Sequence, residues 1–196
     1  KELAVGDFQA QFGQGLTFWS GLAFGKTADL QTIKRSARGL RPYTSVQEDR
    51  FMRGGGITLQ KGHFELTAFY SRNKVDANVT DTIGDQEILI FTSLGESGFH
   101  RTPNELNNKN RIERTYYGGH LTYKKRNLNI GITAARSELK GDFQPTTRIY
   151  NQFSRLGNEN TNVGIDYNYI YKNFNFFGEV SQSFDGGMAM TNGLLV

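Results

Sequence analysis

The chain has 196 residues, enough for one sizeable domain, but only 37% are hydrophobic while 13% are aromatic. Its longest apolar runs, such as ILIF at 89–92, fall far short of the roughly 20 residues a membrane helix needs. With no cysteine there are no disulfides or thiolate metal sites, and a net charge of +4 singles out no partner.

Rows of Phe, Tyr, Ile, Val and Thr broken by Gly and Asn predict an all-β chain. Eight strands are expected, at 3–12, 51–60, 63–73, 113–124, 127–136, 161–171, 174–184 and 188–196. The opening KELAVGDFQAQF lacks the apolar core of a signal peptide and reads as the first strand. After it, Gly13, Gly15, Gly21, Gly25 and Gly39 make 13–50 irregular. From Lys26 to Val46 this segment carries Lys26, Lys34, Arg35, Arg38 and Arg41 against one acid, Asp29. Such a basic segment can bind an anion, lipid phosphate or nucleic acid. The favoured reading is a plug or inward-folded loop, pinned by Arg pairs to carboxylates such as Glu48, Asp49, Glu65 or Glu179.

In ITLQKGHFELTAFYSR, residues 57–72, large apolar residues fall at every second position. A Lys61-Gly62 turn sets Leu59 opposite Phe64 and Ile57 opposite Leu66 on one face, with Thr58 and Glu65 on the other. A Lys125-Arg126 turn likewise pairs Tyr123 with Leu128 and Leu121 with Ile130, leaving Thr122 and Asn129 on the polar face. A Lys172-Asn173 turn pairs Tyr169 with Phe176 and Ile165 with Val180, and Asp166 with Glu179 on the polar face, where Ile170 and Phe177 intrude. Phe64, Tyr123, Tyr169, Tyr171, Phe174 and Phe176 cluster near these turns, as an interfacial girdle would.

Between the tight turns lie long segments, about 39 residues at 74–112 and about 24 at 137–160. Short turns at one end and long loops at the other, with strands of about 10 residues, match an up-and-down transmembrane barrel. Its apolar face meets lipid and its polar face lines the lumen. In SGFHRTPNELNNKN, Thr102, Pro103 and Glu105 form a capping-box pattern that predicts a helix over 103–109. His100 and Arg101 precede its N-terminus, a place that suits an anion, although a capped helix in a long loop is the favoured reading.

Glu65, Asp166 and Glu179 are the candidate lumen carboxylates. The facing Asp166 and Glu179 can hold a cation or act as an acid/base pair, but such groups are more often partners of lumen Arg or Lys. No Ser–His–Asp arrangement, phosphate loop or metal-spaced His pair appears, and His63, His100 and His120 lie on different strands or loops. Neither catalysis nor a metal or other cofactor is expected.

Two stretches carry a family resemblance: GDFQAQFGQGLTFWSGLAFGK with IKRSARGLRPYTSVQEDRFMRGGG, and SLGESGFHRTPNELNNKNRI with YYGGHLTY. They resemble the C-terminal barrel region of a Bacteroidota family of helix-hairpin-helix domain-containing, competence-protein-like outer-membrane proteins. The resemblance covers most of 6–123 and implies outer-membrane residence, with no established reaction. Its members have an upstream helix-hairpin-helix module, which this sequence lacks, so a role in DNA uptake does not carry over.

The expectation is a non-enzymatic outer-membrane β-barrel with a structural, porin-like transport or complex role, whose partners are membrane lipid and other outer-membrane proteins. The rival is a soluble barrel with the faces reversed, holding an apolar ligand or nucleic acid; the loop asymmetry argues against it. A membrane-embedded hydrolase built on His100 is weaker still. Strand patterns run into both ends, so 1–196 reads as a slice of a barrel of more than eight strands. An eight-stranded lumen could not take both 13–50 and 74–112.

Overall fold

In a computed structural model the described residues are 1–21, 33–45, 51–83, 88–95, 98, 100–144 and 157–196. The period-two pattern folds as long strands: β1 (Glu2–Gln11), β3 (Met52–Lys61), β4 (Phe64–Val75), β7 (Ile112–Lys125), β8 (Leu128–Lys140), β10 (Glu159–Tyr171), β11 (Phe174–Ser183) and β12 (Met188–Leu195). These are the eight expected strands. With β2 (Gly39–Pro42) they form one antiparallel sheet in the order β12-β11-β10-β8-β7-β4-β3-β1-β2. The sheet is open, because β1 and β12 do not pair.

Two of the three expected hairpin registers need correction. The turns are Gly62-His63 and Arg126-Asn127, so Leu59 pairs with Leu66 and Tyr123 with Ile130. Only the Lys172-Asn173 turn falls where expected, with Tyr171 opposite Phe174. Each turn puts its first central residue at positive φ, 61° at Gly62, 50° at Arg126 and 51° at Lys172. Glycine takes that conformation without steric cost, so Gly62 occupies the first central place and not the second. The error is two residues, and a two-residue slip keeps every side chain on its own face.

The faces therefore stand. One cross-strand row runs Leu59, Leu66, Leu121, Ile132, Ile165, Val180, Met190, and its residues point away from the protein. Leu66 is 48% exposed and Ile165 54%. The opposing row runs Gln60, Glu65, Thr122, Gly131, Asp166, Glu179, Thr191. There Thr122 is buried and Glu179 is only 1% exposed. Large apolar groups outside and a carboxylate inside invert the soluble pattern.

The long segments are not featureless. Residues 74–112 contain β5 (Ala77–Ile83), β6 (Ile88–Leu94) and helix α1 (Pro103–Asn107), and β9 (Asp142–Phe143) follows β8. They build a second sheet, β5-β6-β9, around buried Ala77, Phe91 and Ile112. One connection at this end is short, since only residues 184–187 join β11 to β12.

Candidate functional site

β1 positions the site by leaving the wall. Its pairing with β3 stops at Phe8 opposite Met52. From Phe8 to Gln11 it pairs with β2 on one side. On the other side, Gln11 bridges Trp19 and the Ser20 N–H donates to the Ala10 carbonyl at 2.9 Å. The segment so supplies its own backbone partners, which a buried strand requires. Phe8, Ala10, Phe12, Leu40, Met52 and Phe69 pack beneath it as a core. Phe12 stacks on His120 with ring centres 4.7 Å apart.

Beyond Phe12 the chain turns at Gly13 (φ 54°) and meets β11. The backbone N–H groups of Gln14, Leu16 and Thr17 all donate to the Glu179 carboxylate, at 2.6, 3.1 and 2.9 Å. A Cβ on Gly13 would stand 2.8 Å from Glu179 Oε2, so the close approach needs glycine. Convergent amides form a concave anion receptor, filled here by a side chain of the wall.

The basic residues do other things than expected. Lys34 Nζ donates to Asn168 Oδ1 at 2.8 Å and lies over the buried Phe177 ring, which explains that apolar intrusion on the polar face. Burial holds the Lys34 ammonium below the ordinary lysine pKa. Arg35 packs over Trp19, and its backbone N–H donates to Gln14 Oε1 at 3.0 Å. Arg38 Nε donates to Gln11 Oε1 at 3.4 Å, while Arg41 is exposed on β2 opposite Gln9. Among the described residues no carboxylate forms an ion pair with Arg35, Arg38 or Arg41. At Glu179 backbone amides stand where an Arg pin is expected. Lys26, Asp29, Glu48 and Asp49 lie outside the described residues.

A cavity of about 290 Å³ separates the inward segment from the wall, bordered by Lys34, Glu65, His120, Lys124, Asp166 and Asn168. Glu65 is neutralised by Lys124 at 2.8 Å. His120 Nδ1 shares a 2.8 Å hydrogen bond with Thr133 Oγ1 and stands 3.9 Å from Asp166 Oδ1, too far for a hydrogen bond. A Cβ on Gly131 would collide with both. No group of three metal-ligating side chains occurs among the described residues. The chemistry here is that of a polar contact surface.

His100 and Arg101 are not gathered with the other basic candidates. His100 Nε2 lies 2.8 Å from Asp76 Oδ2, and the Asn110 N–H donates to the other oxygen at 2.9 Å. The N-terminus of α1 is filled by its own Glu105, whose carboxylate accepts from the Arg101 and Thr102 N–H groups at 2.7 and 2.9 Å. Those bonds, Arg101 first, hold the Glu105 carboxyl below the ordinary glutamate pKa. The helix ends at Asn107, two residues earlier than expected.

The amides of Gln14, Leu16 and Thr17 were missed in the sequence because backbone donors carry no side-chain signature. The spacing of Gly13 and Gly15 is the one available hint of a sharp turn there. Comparison with family models, with curated proteins and with solved structures finds no match.

Proposed function

We propose that the nine-stranded sheet is part of the wall of an outer-membrane β-barrel, with the described residues 12–21 and 33–42 belonging to a plug on its lumen side. The protein acts as a non-enzymatic transport or complex component. The reading rests on one observation: the row Leu59, Leu66, Leu121, Ile132, Ile165, Val180, Met190 points outward while Glu179 is buried behind it. In water such a row would be a large exposed apolar patch; in lipid it is the stable arrangement. Aromatic pairs near the tight turns, Phe64 with Tyr123 at 5.1 Å and Tyr169 with Phe176 at 6.4 Å, support an interface at that level. The resemblance to Bacteroidota competence-protein-like outer-membrane proteins agrees with it.

The open edges belong to the same reading. Unpaired backbone groups cost several kcal/mol each in hydrocarbon, so further strands complete the wall beside β1 and β12. Fractionation tests residence: the protein is expected in the outer-membrane pellet, released by detergent and not by alkaline carbonate. Recovery of folded chain from the soluble fraction without detergent would overturn it.

A further inference from the structure

At the end of the sheet opposite the tight turns lies a cavity of about 850 Å³. It is bounded by the start of β3, the end of β4 and the residues after α1. Five cationic residues among the described ones border it: Arg53, Arg72, Lys74, Lys109 and Arg114. Two carboxylates, Asp7 and Asp76, also line it, and both are committed. Asp7 holds Arg53 through two hydrogen bonds of 2.8 and 3.1 Å, and Asp76 holds His100. Arg72 is paired with Glu113 at 2.8 Å.

Lys74 stands directly opposite Glu113 across β4 and β7, on the outward face, whereas Arg114 is on the inward one. Two cations remain: Lys109 and Arg114 have no ion-pair partner among the described residues. Arg114 lies over the Tyr116 ring at 5.0 Å, and its Nε is buried without a hydrogen-bond partner. An unmet guanidinium N–H in a partly dry site is costly, and a bound oxygen anion would remove that cost. Arg114 also borders the neighbouring cavity of about 500 Å³ between Phe18, Trp19 and the wall. It stands where one cavity gives way to the other.

We propose that this cavity binds a small solute carrying two or more phosphate or carboxylate groups, with Arg114 as its inner anchor and Lys109 at the rim. The volume is that of a small-molecule site and not of a groove for a polymer. Like charges without ion-pair partners among the described residues attract an oligoanion and hasten its entry. The site does not depend on what surrounds the wall, so it goes beyond the membrane reading and can hold or fail separately from it.

Isothermal titration of the folded full chain with pyrophosphate and, in parallel, citrate tests the proposal. At least one probe is expected to bind saturably, and less tightly as salt is raised. Lys109→Gln alters only an exposed side chain and is expected to weaken binding several-fold, Arg114→Gln about tenfold, and the two together more. Lys172→Gln, in a tight turn at the far end, leaves it unchanged. Absence of saturable binding of both probes into the millimolar range sinks the proposal. So does a Lys109→Gln/Arg114→Gln chain that binds as tightly as its parent, or binding confined to anionic lipid vesicles.

Discussion

Only Asp76 separates β4 from β5, yet the two strands obey opposite rules. Along the wall, Leu66 and Tyr70 point outward and Thr67 and Ser71 are buried. Past Asp76, Ala77, Phe91 and Ile112 are buried with Val75, Leu89 and Phe143 packed on them, as in a water-soluble protein. The same strand pair takes part in both regions, since Val75 opposite Ile112 ends the ladder that begins with Phe64 opposite Tyr123. One chain thus carries two opposite burial patterns. On the proposed membrane reading, the reversal marks the level where hydrocarbon gives way to water.

The strongest way to break this comparison is to empty the small core. Phe91→Ala is expected to destabilise the β5-β6-β9 sheet by about 3–5 kcal/mol, and to leave membrane insertion of the wall intact. Proteolysis that spreads from 77–94 into β7 or β8 would show that the two regions are one cooperative unit.

The apolar row gives the next largest effect. Ile132→Arg, between Leu121 and Ile165, is expected to cost about 2–4 kcal/mol of folding free energy in lipid, and Asn129→Arg far less. Equal costs in urea titrations in lipid vesicles would remove the distinction between the faces. Inside the wall, Glu179→Gln weakens three charge-assisted bonds to the inward segment, a local loss of about 1.5–3 kcal/mol. Hydrogen exchange at Gln14, Leu16 and Thr17 should accelerate while β10 and β11 stay protected. Uniform loss of protection would mean that Glu179 holds the wall and not the plug.

The smallest effect concerns α1, beside the second sheet. Thr102→Ala removes the acceptor of the Glu105 N–H and is expected to cost α1 about 1 kcal/mol. Glu105 also gives the helix a pH dependence. Its folded pKa is depressed, so its contribution is present above the ordinary glutamate pKa and is lost as pH falls through the lowered value. An α1 whose exchange rates ignore acidification, after correction for intrinsic rates, would contradict that assignment.

What was legible follows from range. Face alternation in β4, β7, β8, β10 and β11 is a local period of two, and the capping box of Thr102 and Glu105 spans four residues, so both can be read directly. β5, β6 and β9 were missed because the alternation of ANVTDTI breaks at Asp81, ILIFTSL opens on an apolar run, DF is too short to show a period, and their pairing depends on each other. The candidate site was read less well. Glu179 was placed on the polar face, but its partners lie more than 160 residues away in the chain and are backbone groups, to which composition is blind.

The sequence alone therefore determined the all-β class, the eight long strands and which side chains share a face, because all three depend on neighbours two residues apart. Tertiary structure decided where β1 leaves the wall, which groups meet Glu179, and that Arg114 borders two cavities at once. Those outcomes depend on which distant backbone groups and charges find each other when the chain closes on itself. No local pattern encodes them.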